Sequence, residues 1–289
     1  MADHSQIVVG VDGSDSSKAA VAWAADSAAA RGTTLRLVSA ALAPLPFAGM
    51  AAVGQDFYDD LEAESRRLLD EARTIALERA PDLVVEASLH AGQPVPVLLD
   101  WSERAALVVL GSRGRGEFTG AVLGSVADAL ATHGSCPVVV IRGAVTEPGN
   151  GPVVVGVDGS ANSGPAIGAA FTEASLRGST LVAAFAASDH AVDRFLNVVH
   201  EPDTALDSVR EALAAALAGW EEKFPDVAVE RVVAKDRPVQ LLLDQAGTAQ
   251  LVVVGSRGRG GFRGMLLGST SRALLHGVEC PLMIVRDRR

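Results

Sequence analysis

The chain has 289 residues, with 25 Lys and Arg against 35 Asp and Glu (net charge −10), 48% hydrophobic and only 4% aromatic residues. This is the composition of a globular protein with length for about two domains, and its acidity and shortage of aromatics argue against nucleic-acid binding. No apolar run approaches the ~18–20 residues of a membrane span, and residues 1–6 lack a basic or signal-like stretch, so a cytoplasmic protein without a membrane partner is expected.

In chain order, short apolar runs fall at 7–11, 35–40, 83–89, 106–110 and 137–141, and again at 153–157, 180–186, 227–234, 250–254 and 281–285. Runs as apolar and β-branched as Ala106-Leu107-Val108-Val109-Leu110 predict strands covered on both faces. Longer segments of helical period separate them. Leu206, Val209, Leu213, Leu217, Trp220 and Phe224 step by three and four along one face, and Leu61, Leu68, Ala72 and Ile75 give a weaker version. Five strands alternating with four helices, twice over, predict an α/β protein with two doubly wound, Rossmann-like parallel sheets.

The duplication is visible in the residues themselves. Val8-Val9-Gly10-Val11-Asp12-Gly13-Ser14 recurs as Val154-Val155-Gly156-Val157-Asp158-Gly159-Ser160, and Gly111-Ser112-Arg113-Gly114-Arg115-Gly116 recurs as Gly255-Ser256-Arg257-Gly258-Arg259-Gly260. Each six-residue run is followed at equal distance by Leu-Gly-Ser, at 123–125 and 267–269. The domains are drawn at 1–145 and 150–289, joined by the turn-rich segment 143–151. The irregular stretch 43–49, with Pro44 and Pro46, has a plainer counterpart near Ser188-Asp189-His190, so the halves are expected to differ most there.

Open parallel sheets bind ligands at the carboxyl ends of their strands. Asp12 and Asp158 lie at that end of the first strand of each half, and the Gly111 and Gly255 loops at that end of the fourth. The spacing from Gly111 through Gly114 to Gly124-Ser125 is repeated from Gly255 through Gly258 to Gly268-Ser269. Glycines let backbone N–H groups approach an anion, and Gly-Ser at a helix start leaves unpaired N–H groups for phosphate. Arg113, Arg115, Arg257 and Arg259 add positive charge unless they are only solvated. An Asp opposite these loops can accept from ribose hydroxyls, although an Asp after a strand also caps helices. The combination describes a nucleotide site. No G-x-x-x-x-G-K-[ST] occurs after Gly10, and Thr119 and Arg263 stand where G-x-G-x-x-G needs its third glycine, which argues against a dinucleotide.

Val-Gly-Val-Asp-Gly-Ser on the first strand, with G-x2-G-x9-G-S later, resembles the ATP-binding subclass of the universal stress proteins, in a tandem two-domain form covering essentially the whole chain. The resemblance implies a five-stranded sheet ordered 3-2-1-4-5 in each half, and ATP with a divalent ion, Mg2+, in each. It implies ribose at Asp12 and Asp158, and phosphates at Gly111, Gly114, Gly124 and Ser125 and at Gly255, Gly258, Gly268 and Ser269. Adenine would meet backbone near Val38 and Ala184. Gly10, Arg115, Gly116 and Val126, with Gly156, Arg259, Gly260 and Thr270, complete the candidate set. Fifth strands would pair, 138–141 with 282–285, between the two halves or between two chains in a homodimer.

Glu117 faces Gly261 in the alignment of the halves; a carboxylate there would repel ATP, hold a metal ion, or simply face solvent. The histidines, His4, His90, His133, His190, His200 and His276, share no motif, and no Ser-His-Asp or metal-ligand spacing is visible. Cys136 and Cys280, each before a proline, read as small buried residues at strand starts. The expected function is therefore a regulatory adenine-nucleotide-binding protein rather than an enzyme. The alternatives are a slow ATPase or adenylyl-transferring enzyme of the same α/β class, and an interaction module with vestigial sites.

Overall fold

A computed structural model describes residues 5–41, 55–114, 123–142, 151–160, 163–187, 202–235, 237–258 and 266–286. Internal contacts divide the chain into two units, Met1–Ile141 and Arg142–Arg289.

The first unit is β1 (Ile7–Gly10), α1 (Asp15–Arg31), β2 (Leu35–Ala41), α2 (Gln55–Arg79), β3 (Val85–Ala91), α3 (Pro94–Ser102), β4 (Leu107–Gly111), α4 (Ser125–His133) and β5 (Val138–Ile141). The strands are parallel in the order β3-β2-β1-β4-β5. The second unit repeats this with β6 (Val153–Val157), α5 (Ser163–Arg177), β7 (Leu181–Ala187), α6 (Pro202–Glu221), β8 (Val229–Lys235), α7 (Pro238–Ala246), β9 (Leu251–Gly255), α8 (Ser269–Gly277) and β10 (Leu282–Val285). Its order is β8-β7-β6-β9-β10, again parallel.

The central strands are apolar because no side of them meets water: Ile7, Val8, Val9, Val108, Val109, Val139 and Val140 are fully buried, as are Val153–Val155 and Leu251–Val253 in the second unit. Helices α1 and α2 pack on each other, as do α3 and α4. Right-handed crossovers put the two pairs on opposite faces, because strand order turns back between β3 and β4. That turning point lies between β1 and β4, where both strands end beside each other.

Local sequence sets the ends of α1, and apolar stripes set the buried faces of α2 and α6. Ser14 caps α1, its hydroxyl accepting from the Ser17 N–H at 3.2 Å, and Gly32 closes it in the left-handed region (φ 60°) with its N–H turned back to Ala28 and Ala29. Alanines dominate the buried face of α1, letting it lie close on β1 and β4. Helix α2 buries Ser65, Leu68, Leu69, Ala72 and Ala76, a stripe shifted from the sequence expectation, since Leu61 and Ile75 lie at its margin. Helix α6 does bury Val209, Leu213 and Leu217. Beyond them Trp220 clusters with Phe171 (6.4 Å) and Phe224 (6.5 Å), which are themselves 5.7 Å apart, and it lies over Gly168, where a β-carbon would fall 2.4 Å from the indole.

Candidate functional site

The first site begins where β1 ends. The Val11 N–H donates to the Val38 carbonyl at 2.8 Å, one bond past the strand, and the chain then turns at Gly13 (φ 80°) into α1. Asp12 sits in that turn. Its Oδ1 accepts from the Ser14 N–H (3.0 Å) and the Ser14 hydroxyl (2.7 Å). Asp12 therefore does not cap α1; Ser14 does. The other oxygen, Oδ2, faces β4's loop: a β-carbon on Gly114 would lie 2.8 Å from it.

The loop after β4 is docked at both ends. The Ser112 N–H donates to the Ile141 carbonyl (2.9 Å), and the Gly124 N–H donates to the Ser112 carbonyl (2.8 Å). Gly124 caps α4 in extended backbone without a side-chain cap, and Ser125 is the first helical residue. The first N–H groups of α4 thus have no partner within the helix and carry its positive dipole end. Gly111 also has a packing role: a β-carbon there would come within 2.5–2.8 Å of Ser16, backbone included. Its smallness serves the packing of α1 on β4.

Between these parts lies a cavity of about 400 Å³. Asp12, Gly114, Gly124 and Ser125 form its polar end, and Val38, Ala40, Pro94, Leu98, Leu110 and Val126 its apolar end. Gly10, Gly111 and Arg113 also line it. Val38 is in place, but its carbonyl already serves Val11. Residues whose peptide groups face β1 alternate along β2, so Ala40 is the next on that side, past the end of β1.

This arrangement meets a known pattern. The sequence profile described as the universal stress protein family matches residues 4–142 and again 149–286. The chain belongs to the universal stress protein family. Universal stress protein Rv2005c of Mycobacterium tuberculosis (strain ATCC 25618 / H37Rv) is 42% identical over 97% of each chain. Universal stress protein Rv1996 of the same organism is 43% identical over 97% of this chain and 94% of its own. Among solved structures, a universal stress protein of Archaeoglobus fulgidus DSM 4304 superposes with a TM-score of 0.71 over 98% of this chain and 97% of its own, at 20% identity, a likeness of fold.

The second unit of this universal stress protein repeats the polar end. Asp158 Oδ1 accepts from the Ser160 N–H (2.9 Å) and hydroxyl (2.7 Å), and also from the Ser163 hydroxyl (2.5 Å). A β-carbon on Gly258 would lie 2.6 Å from Asp158 Oδ2. Gly268 caps α8, its N–H donating to the Ser256 carbonyl at 2.7 Å, and Ser269 and Thr270 open the helix. Gly156 packs under Leu242 and Val254, Gly255 ends β9, and Ala184 pairs with Gly156 on β7. Arg286, at the end of β10, is held below its usual pKa by burial and by Arg257, and donates to the Leu266 carbonyl at 3.2 Å.

Arg115, Gly116, Arg259 and Gly260 lie outside the described residues, as do Glu117, Gly261, the Pro44–Pro46 stretch, His4, His190 and His200. Among the described histidines, His90 accepts from Trp101 Nε1–H at 3.1 Å, with Arg36 and Arg104 stacked 4.9 and 5.0 Å from the same indole. His133 and His276 stand in the last turns of α4 and α8. Cys136 is buried, and desolvation pushes the Cys280 thiol up to about 11. Among the described residues no three His, Cys, Asp or Glu side chains gather as a metal site, and no helix is long and apolar enough to cross a membrane. Ala40, on the cavity wall, and Ser16, which bonds Arg113 of that wall, were not singled out from sequence; the strand order that brings them there is their only signal.

Proposed function

We propose that this protein binds ATP in each unit and acts as a nucleotide-dependent regulator rather than a fast catalyst. The observation that carries the reading is the pairing of Asp12 Oδ2 with Gly114, and of Asp158 Oδ2 with Gly258, each beside an open helix N-terminus. A carboxylate oxygen aimed at the glycine loop suits a ribose hydroxyl, and unpaired N–H groups suit phosphates. The first unit's cavity, at about 400 Å³, is within the range of small-molecule sites, and its apolar end suits a purine. Mg2+ takes a few protein oxygens alongside phosphate and water; the hydroxyl of Ser125 and the Asp12 carboxylate are hard oxygen donors of that kind, and the ion would neutralise phosphate charge.

Slow turnover follows from the same wall. Among the described residues lining the cavity, Asp12 is the one carboxylate, and its Oδ1 is held by Ser14. Hydrolysis should fall far below the ~1–100 s⁻¹ of kinases. A homodimer, or an internal pair through the fifth strands, belongs to the same proposal and is read by light scattering of the purified protein.

The decisive experiment is mass spectrometry of nucleotide released from freshly purified protein, counted per chain, with a melting curve in millimolar Mg-ATP. Adenine nucleotide on the protein, and stabilisation of about 2.7 kcal/mol when ligand reaches ~100 times its dissociation constant, are expected. No bound nucleotide and an unmoved melting curve would overturn the reading.

A further inference from the structure

Ser16 makes contacts that helix formation does not require. It lies in the first turn of α1, two residues after the cap, yet its hydroxyl is bonded to a residue 97 positions away. Ser16 Oγ–H donates to the Arg113 carbonyl, and the same oxygen lies 3.3 Å from the Arg113 N–H. Ser14 Oγ approaches that carbonyl at 3.1 Å, but Ser14 is already committed to Asp12 and to the helix cap. Just below, Gly111 lets the Ser16 backbone sit against the end of β4.

The direction of one peptide group follows. The 113–114 peptide is planar and trans, so its C=O and N–H point in opposite directions. With the Arg113 carbonyl held towards α1, the Gly114 N–H points away from it. A β-carbon on Gly124 would lie 3.7 Å from that nitrogen, so the Gly114 N–H stands beside the start of α4 and its unpartnered N–H groups. Turned the other way, the same peptide would put a carbonyl oxygen there, and carbonyl oxygens repel phosphate.

We infer that Ser16 is a positioning residue of the first unit: it fixes the 113–114 peptide so that the loop presents a donor, and thereby selects phosphorylated adenine ligands over the bare nucleoside. This rests on the nucleotide reading above and adds to it the residue that makes the first site phosphate-selective.

The test compares ATP and adenosine binding to the full chain by titration calorimetry, for wild type, Ser16→Ala and Ser16→Thr, with melting curves as a folding control. Ser16→Ala should weaken ATP about tenfold at one of the two sites, the worth of roughly one charge-assisted hydrogen bond, and leave adenosine within about twofold. Ser16→Thr, which keeps the hydroxyl, should restore ATP. Equal weakening of ATP and adenosine, or unchanged ATP affinity in a folded Ser16→Ala protein, overturns the role of Ser16 while leaving the nucleotide reading intact. Wild type that binds neither ligand overturns both.

Discussion

Asp12 and Gly114 are in contact across the ends of two strands: the carboxylate's Oδ2 occupies the space a side chain at 114 would need, 2.8 Å from the position of its β-carbon. Asp158 and Gly258 repeat the relationship at 2.6 Å. Ser14 holds the other oxygen of Asp12 by two hydrogen bonds, and Ser160 with Ser163 holds that of Asp158 by three, so neither carboxylate can swing clear without giving them up. Gly114→Ala should therefore displace Asp12 and weaken ATP at the first site by about tenfold or more, with Gly258→Ala doing the same at the second. Titration of each variant decides it, and an unchanged affinity would show that the Asp–Gly contact has no bearing on binding.

Gly111 should behave differently. A methyl group there meets Ser16 backbone on α1 rather than a side-chain tip, and overpacking of this kind costs roughly 1–3 kcal/mol. Gly111→Ala is expected to lower the urea midpoint without changing the slope of the transition. The two variants thus separate the packing of Gly111 on α1 from the contact of Gly114 with Asp12.

In the second unit Glu173 is buried on α5 and paired with Arg177, whose side chain is 16% exposed against 2% for the Glu. Glu173→Ala leaves a largely buried guanidinium without this partner, a loss of about 3–5 kcal/mol. Glu173→Gln, which keeps an acceptor, should cost less. Equal melting temperatures for the two variants would show that the charge pair is irrelevant to stability.

Cys280 gives a pH signature. Burial raises its thiol from an ordinary value near 9.0 to about 11, so the folded chain holds a proton that the unfolded chain releases. The associated stability is complete below pH ~9 and is lost as pH rises through about 11. Iodoacetamide at pH 8 should label Cys280 slowly in the native protein and rapidly in urea. Fast native labelling would contradict the burial.

Strand positions and the doubly wound class were legible from the apolar runs, because strands buried on both faces leave continuous Val and Leu. The start of β3 was not. Leu83 belongs instead to a turn, its N–H donating to Ala80, and Val84 is 61% exposed; apolar residues at a sheet edge look the same in sequence as those in its core. Asp12 and the glycine loop were legible as separate motifs, but their contact depends on β1 and β4 being neighbours, which spacing cannot order. Gly111 was legible as part of the glycine spacing, but its packing against Ser16 was not, because sequence shows that glycine is present and not which atoms crowd it. Ser16 looked like any polar residue in a first helical turn, since its partner is brought there by the sheet.

The clustering of Trp220 with Phe171 and Phe224 has a practical consequence. The chain has three tryptophans, and the other two, Trp23 and Trp101, belong to the first unit. With those two replaced by Phe, fluorescence becomes a private signal of the second unit, centred where α5 meets α6. That trace, laid against far-ultraviolet circular dichroism of the whole chain, reports whether heat or denaturant acts on the two halves together or one at a time.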